Sequence, residues 1–199
     1  MAIVVEHDKR KHDILQKSLD VFIEEGYEDA TFQKIADRCG ITRTTLYIYF
    51  KNKHEIFLGS IKELLSALEV SLSAILADQS LTTEEALRQI LNKIIDYCEE
   101  SQKLFIVLLS YFMQLKKSGI DIEEKIRRRV VRLRHLLSTI MIRGIQNKEF
   151  KNMNVKDMNE LLYGLIESAI FRLTVLNQKD ISDIRKTLDL AVDGFLLKE

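Results

Sequence analysis

A chain of 199 residues that is 46% hydrophobic and 30% charged has an ordinary globular composition with room for a sizeable core, and it holds no proline and only seven glycines. Residues that interrupt helices are so scarce that the expected fold class is all-α. Thirty basic residues against thirty acidic give a formal net charge of zero, which excludes a uniformly basic coat and makes the distribution of charge more informative than its sum.

The opening stretch "MAIVVEHDKRK" has too short an apolar run, with charge on the wrong side of it, for a secretory signal, so a cytoplasmic location is expected. A first helix is expected over about Asp8 to Glu25, where Ile14, Leu15, Ser18, Leu19 and Phe22 recur at three- and four-residue steps and Gly26 stands where a left-handed C-cap belongs. Thr31 is placed to cap a second helix with the stripe Phe32, Ile35 and Cys39. Gly40 ends it, and Thr42 caps a third at once. Two short helices joined by a glycine-containing break form the helix-turn-helix arrangement, with Ala36 small enough for a close crossing and Ile41 and Leu46 turned to a shared core.

From Ser18 to Phe32 there are five acids and no bases (net −5), whereas from Gln33 to His54 five bases stand against one acid (net +4). The zero total therefore hides a local basic stretch, in which "TRTTLYIYFKNK" (Thr42 to Lys53) interleaves cations with aromatics. A short helix entering a DNA major groove needs donors for base edges near its start and phosphate-binding groups at its flanks. Arg43 and Thr44 occupy the first turn, where an arginine suits the O6 and N7 acceptors of guanine. Tyr47 and Tyr49 offer hydroxyls to phosphates, Phe50 suits the core, and Lys53 with the free N–H groups of the next helix suits a phosphate.

Asn52 and Glu55 make a capping-box pair that opens a long fourth helix, striped by Phe57, Ile61, Leu64, Leu68, Leu72 and Ile75. Thr82 and Glu85 open a fifth, to about Glu100. The sixth, Ser101 to Lys117, carries "LFIVLLSYFM", well short of the roughly 17 residues a membrane span needs, and reads as a buried helix with no membrane partner. Helices from Asp121 to about Asn147, Asn154 to about Asn177 and Asp180 to Leu197 complete nine. The run "KIRRRVVRLRHLL" (Lys125 to Leu137) reads as a solvated face rather than a second nucleic-acid site, because Glu123 and Glu124 precede Arg127 and Arg128 by four residues.

The order of features over residues 10–57 resembles the tetracycline-repressor (TetR) family of bacterial transcriptional regulators, through "ILQKSLDVFIEEGYEDAT", "IADRCGIT", "TLYIYFKNK" and "HEIF". The resemblance implies a helix-turn-helix DNA-binding domain over residues 1–56 and an effector-binding and dimerisation domain over 57–199. It also implies a ligand-responsive, sequence-specific regulator: a homodimeric repressor of a palindromic double-stranded DNA operator, released by a small-molecule effector. By motif alignment the DNA-contacting positions are Gln33, Thr42, Arg43, Thr44, Thr45, Tyr47, Tyr49 and Lys53. Many members carry a small residue or glycine where this chain has Arg43, so the base preference expected here is its own.

The segment "LLYGLIESAIFRLTVL" (Leu161 to Leu176) is apolar nearly all round, and such a helix must be covered on more than one side. Together with Ile184 and its successors at helical spacing, it resembles the family's four-helix dimer interface, with Leu162, Leu165, Ala169, Leu173, Leu188, Ala191 and Phe195 as the expected contacts. The central helices resemble the effector-enclosing part of the family, with Tyr97, Phe105, Phe112 and Met113 as candidate lining for an apolar or amphipathic ligand. Cys39 and Cys98 lie in different segments without CxxC spacing or neighbouring histidines, as packed, reduced thiols do. The four histidines are scattered, and no HExxH, GxSxG or phosphate-binding glycine loop occurs, so no catalytic residue, metal or cofactor is expected. The alternative, a helical dimeric adaptor that binds no DNA, would leave the residues from Arg43 to Lys53 without a purpose.

Overall fold

The computed structural model describes residues 2–119 and 123–197. Nine α-helices follow one another among them: α1 (Ala2–Asp29), α2 (Phe32–Cys39), α3 (Arg43–Tyr49), α4 (Lys53–Ala77), α5 (Thr83–Glu100), α6 (Gln102–Lys117), α7 (Glu123–Gln146), α8 (Val155–Thr174) and α9 (Ser182–Phe195). The all-α expectation holds, with one isolated antiparallel bridge between Phe150 and Leu196 among the described residues. Helix α1 starts well before the expected Asp8, since no glycine or proline between Ala2 and His7 interrupts it. Gly26 breaks it with φ 82° and ψ 167°, a conformation that a residue with a Cβ adopts only under strain.

Two compact units are present, one comprising residues up to Ala67 with Val107–Tyr111 of α6, the other Leu68–Ile106 with the chain from Phe112 onward. Residues 57–67, assigned from sequence to the second domain, lie with the first unit, and α4 and α6 each contribute residues to both.

In the first unit the caps read from sequence form as expected. Thr31 accepts from the Lys34 N–H, Thr42 accepts from the Thr45 N–H, and Gly40 takes the left-handed conformation, φ 66°, that lets the chain turn from α2 to α3. Ala36, Ile35 and Leu46 are fully buried where the two helices meet α1. The Asn52–Glu55 box closes only halfway. Asn52 accepts from the Glu55 N–H, while the Glu55 carboxylate takes the N–H of Lys51 instead of that of Asn52. Phe22, Tyr27, Phe57 and Tyr111 pack as a ring cluster with centroids 4.7–5.9 Å apart. The Tyr111 hydroxyl lies 2.7 Å from His54 Nδ1, and burial pushes its pKa up to about 12.

The second unit is built on the buried faces of α5, α7, α8 and α9, including Leu87, Ile90, Ile140, Leu162, Ile166 and Leu188. Cys98 and Cys39 are both free and buried, as expected of packed thiols, and burial pushes the Cys98 thiol up to about 12. The Thr82–Glu85 capping box is complete. A second cap on α5 was invisible in sequence: the Glu149 carboxylate accepts from the Thr83 hydroxyl at 2.6 Å and from the Thr83 and Glu84 N–H groups at 2.7 and 3.2 Å. Burial alone would raise the Glu149 pKa, but these bonds, with one from Asn147, hold it below the ordinary value. A depressed folded-state pKa contributes stability that is present above the ordinary carboxylate range and lost as pH falls through the lowered value. Glu149→Ala is accordingly expected to cost about 1 kcal/mol at neutral pH, the typical value of an N-cap, and progressively less as pH falls below the ordinary carboxylate range; urea melts over an acid pH series test this.

The seven residues expected at a dimer interface all lie against the chain's own core. Leu162, Ala169, Leu173, Leu188 and Phe195 are buried in the chain's own core, and Leu165 and Ala191 are partly buried against the same core. An all-round apolar helix does not say which stripe faces inward, and the exposed stripe is instead Leu161, Phe171, Val175 and Leu176 on and just beyond α8, with Leu190 on α9. The expected pairing of Glu123 and Glu124 with Arg127 and Arg128 lies outside the described side chains. Farther along α7, Arg132 pairs with Glu69 at 2.9 Å and Arg134 with Glu160 at 2.6 Å, as on a solvated face.

Candidate nucleic-acid interface

Helix α3 buries Leu46 and, just beyond it, Phe50, which leaves Arg43, Thr44, Tyr47 and Ile48 on one exposed face at positions i, i+1, i+4 and i+5. The face is held from beneath. The Tyr47 ring stacks on Phe32 of α2 at 4.6 Å, and the Arg43 guanidinium lies 5.7 Å from the Tyr47 ring and donates to its hydroxyl at 3.2 Å. Tyr49 is half-buried, stacked at 4.7 Å on His7 of α1, whose extra N-terminal turn is what reaches it. Lys11 on the next turn of α1 lies 5.3 Å from the ring of Phe50.

Other expected contact residues have a second occupation. Thr42 caps α3 and its hydroxyl sits 2.8 Å from that of Thr45, so both are tied to the start of the helix. Gln33 is exposed at the start of α2 and donates to Asp37 at 2.7 Å. Lys53 reaches back to α1: its ammonium donates to the carbonyls of Tyr27 and Glu28, each at 2.8 Å, over the Tyr27 ring at 4.7 Å. Two of its three hydrogens are thereby used and one remains for an anion.

The basic stretch is also narrower than its count implies. Lys34 pairs with Glu25 at 2.6 Å and Arg38 with Glu24, so the acidic end of α1 neutralises two of the five cations. What remains on the side of α3 is Arg43, Lys51 and the third hydrogen of Lys53, a small cationic frame around an exposed polar and apolar face. Such a face, about two turns long and supported by rings, is suited to the floor of a major groove.

Residues 14–59 match the family model described as "Bacterial regulatory proteins, tetR family". Over these residues the chain is similar to the TetR family. It is 26% identical over 184 residues to the fatty acid metabolism regulator protein of Bacillus subtilis (strain 168), covering 91% of this chain and 93% of that one. A TetR transcription regulator of Haloarcula marismortui superposes with a TM-score of 0.84 at 21% identity, covering 96% of this chain and all of that one. The regulator FadR of Bacillus subtilis, solved with stearoyl-CoA, gives 0.71 at 24% identity, covering 92% and 95%. Together these likenesses support a ligand-responsive, DNA-binding transcriptional regulator and set aside the adaptor alternative. The matched relatives are regulators, not enzymes.

Of the candidate effector residues, Tyr97 and Phe105 meet edge to face with centroids 6.3 Å apart, and burial pushes the Tyr97 hydroxyl up to about 12. Phe112 is half-buried, whereas Met113 is 52% exposed and is not enclosed. Sequence reasoning did not single out Ile48, Lys11 and His7 on or beside the exposed face of α3; the step of four from Thr44 to Ile48 was the available signal for the first. Among the described residues, no helix is long and apolar enough to cross a membrane.

Proposed function

We propose that this chain is a homodimeric TetR-family repressor that grips a palindromic operator with two copies of α3 and lets go when a long-chain fatty acyl thioester binds the second unit. The exposed, ring-supported face of Arg43, Thr44 and Tyr47 carries the DNA half of this reading. Near-full-length similarity to a fatty acid metabolism regulator, and the fold shared with a regulator bound to stearoyl-CoA, support the choice of ligand. So does the apolar or amphipathic character expected of the effector from Tyr97 and Phe105.

The first unit is the DNA-binding domain in this reading and the second the effector and dimerisation domain. Because α4 and α6 each carry residues of both units, backbone continuity is available to transmit a change. A ligand shifts the equilibrium only by its differential affinity for the two states, typically 5–150-fold. An operator obtained by selecting random duplexes at near-physiological salt should accordingly lose roughly tenfold or more in affinity on saturation with stearoyl-CoA, and none with free coenzyme A. Unchanged operator affinity at a stearoyl-CoA concentration shown by calorimetry to saturate the protein would contradict the effector assignment.

A further inference from the structure

We propose that Ile48 reads the 5-methyl group of a thymine in each operator half-site. The inference rests on the reading that α3 enters the major groove, and it begins from an oddity of three consecutive residues. Tyr47 and Tyr49 each stack on a ring of their own protein, Phe32 and His7, whereas Ile48 between them is 70% exposed. No property of the fold asks for isoleucine there: the residue is a mediocre helix former, and it forgoes most of the burial that would repay its apolar surface.

On the surface at large a lone exposed isoleucine needs no explanation. This one is the sole aliphatic member of a face whose other residues, Arg43, Thr44 and Tyr47, all carry hydrogen-bonding groups. The major groove displays one apolar group to such a face, the thymine 5-methyl, which apolar side chains contact. β-Branching adds to the fit. Ile48 in a helix is confined to essentially one χ1 rotamer, so its methyl groups are already fixed before DNA arrives and little side-chain entropy remains to be lost. Thr44, one turn earlier, places a hydroxyl beside it, so the pair presents a polar and an apolar contact to neighbouring bases.

The test uses the intact protein and the duplex selected from a random library. Each thymine of the half-site is replaced by uracil in turn, symmetrically in both halves, which removes only the methyl group. Burying one methyl-sized group is worth about fourfold in affinity, hence roughly fifteenfold for two half-sites. One symmetric pair of uracils is expected to weaken wild-type binding by that factor. Ile48→Ala should bind the thymine and uracil duplexes equally, at about the wild-type affinity for uracil, and Ile48→Val should keep part of the discrimination. An unchanged thermal melt is expected for both variants. Wild-type protein indifferent to every uracil, discrimination that survives in Ile48→Ala, or a selected half-site without thymine would overturn the role of Ile48 and leave DNA recognition by α3 standing. Failure to enrich any duplex would overturn both.

Discussion

Arg43→Ala is expected to weaken binding to the selected operator by roughly a hundredfold while leaving affinity for random duplex within a few-fold. A bidentate arginine–guanine contact is worth about 1–3 kcal/mol of discrimination, and a twofold dimer makes it twice. The guanidinium is prepared for this: the Tyr47 hydroxyl receives one of its hydrogens and the Tyr47 ring lies below it, while Phe32 holds that ring. Lys53→Ala provides the contrast. It should lower affinity on every sequence and reduce the slope of log K against log salt by about 2 for the dimer, one phosphate per subunit. It should also lower the melting temperature, because the same ammonium holds the Tyr27 and Glu28 carbonyls at the end of α1. The decisive readout is repeated selection with Arg43→Ala. Relaxed preference at one position per half-site confirms base reading; equal loss on all sequences would make Arg43 a phosphate ligand instead.

The helix-turn-helix was legible in the sequence because its determinants are local. Thr31, Gly40 and Thr42 act within three or four residues of themselves, so their chemistry shows at short spacing. What escaped depends on distant partners. The cations at Lys34 and Arg38 face Glu25 and Glu24 across a helix boundary, which turned an apparent basic stretch into a partly neutralised one. Lys53 finds carbonyls 25 and 26 residues away, and Glu149 caps a helix that begins 66 residues earlier. Tyr111 was hidden for another reason: within a continuous apolar run no periodicity separates the residue that joins a neighbouring ring cluster from those that simply fill a core. The same ambiguity holds on α8, where only the fold tells the inward stripe from the outward one.

Phe171→Asp combined with Leu190→Asp is expected to convert the protein to a monomer and to cost at least a hundredfold in operator affinity. Phe171 and Leu190 are 52% and 69% exposed, and with Leu161, Val175 and Leu176 they give α8 and α9 an outward apolar surface that the subunit itself does not cover. In a twofold dimer one such patch meets its own copy, and each aspartate then faces a buried environment without a partner, at a cost well above the loss of apolar contact alone. Linking two binding modules raises affinity by about 10²–10⁴ without any new contact, so uncoupling them forfeits that gain even though each α3 face is untouched. Because both positions are exposed, the variant should melt as wild type does apart from the concentration dependence that dimerisation imposes. Leu162→Asp, in the buried stripe one residue from Leu161, should instead unfold the second unit by placing an unpaired charge in its core. Sedimentation of the double variant decides between the stripes: a folded monomer supports the outward one, and a persisting dimer would mean that the copies meet elsewhere on the chain.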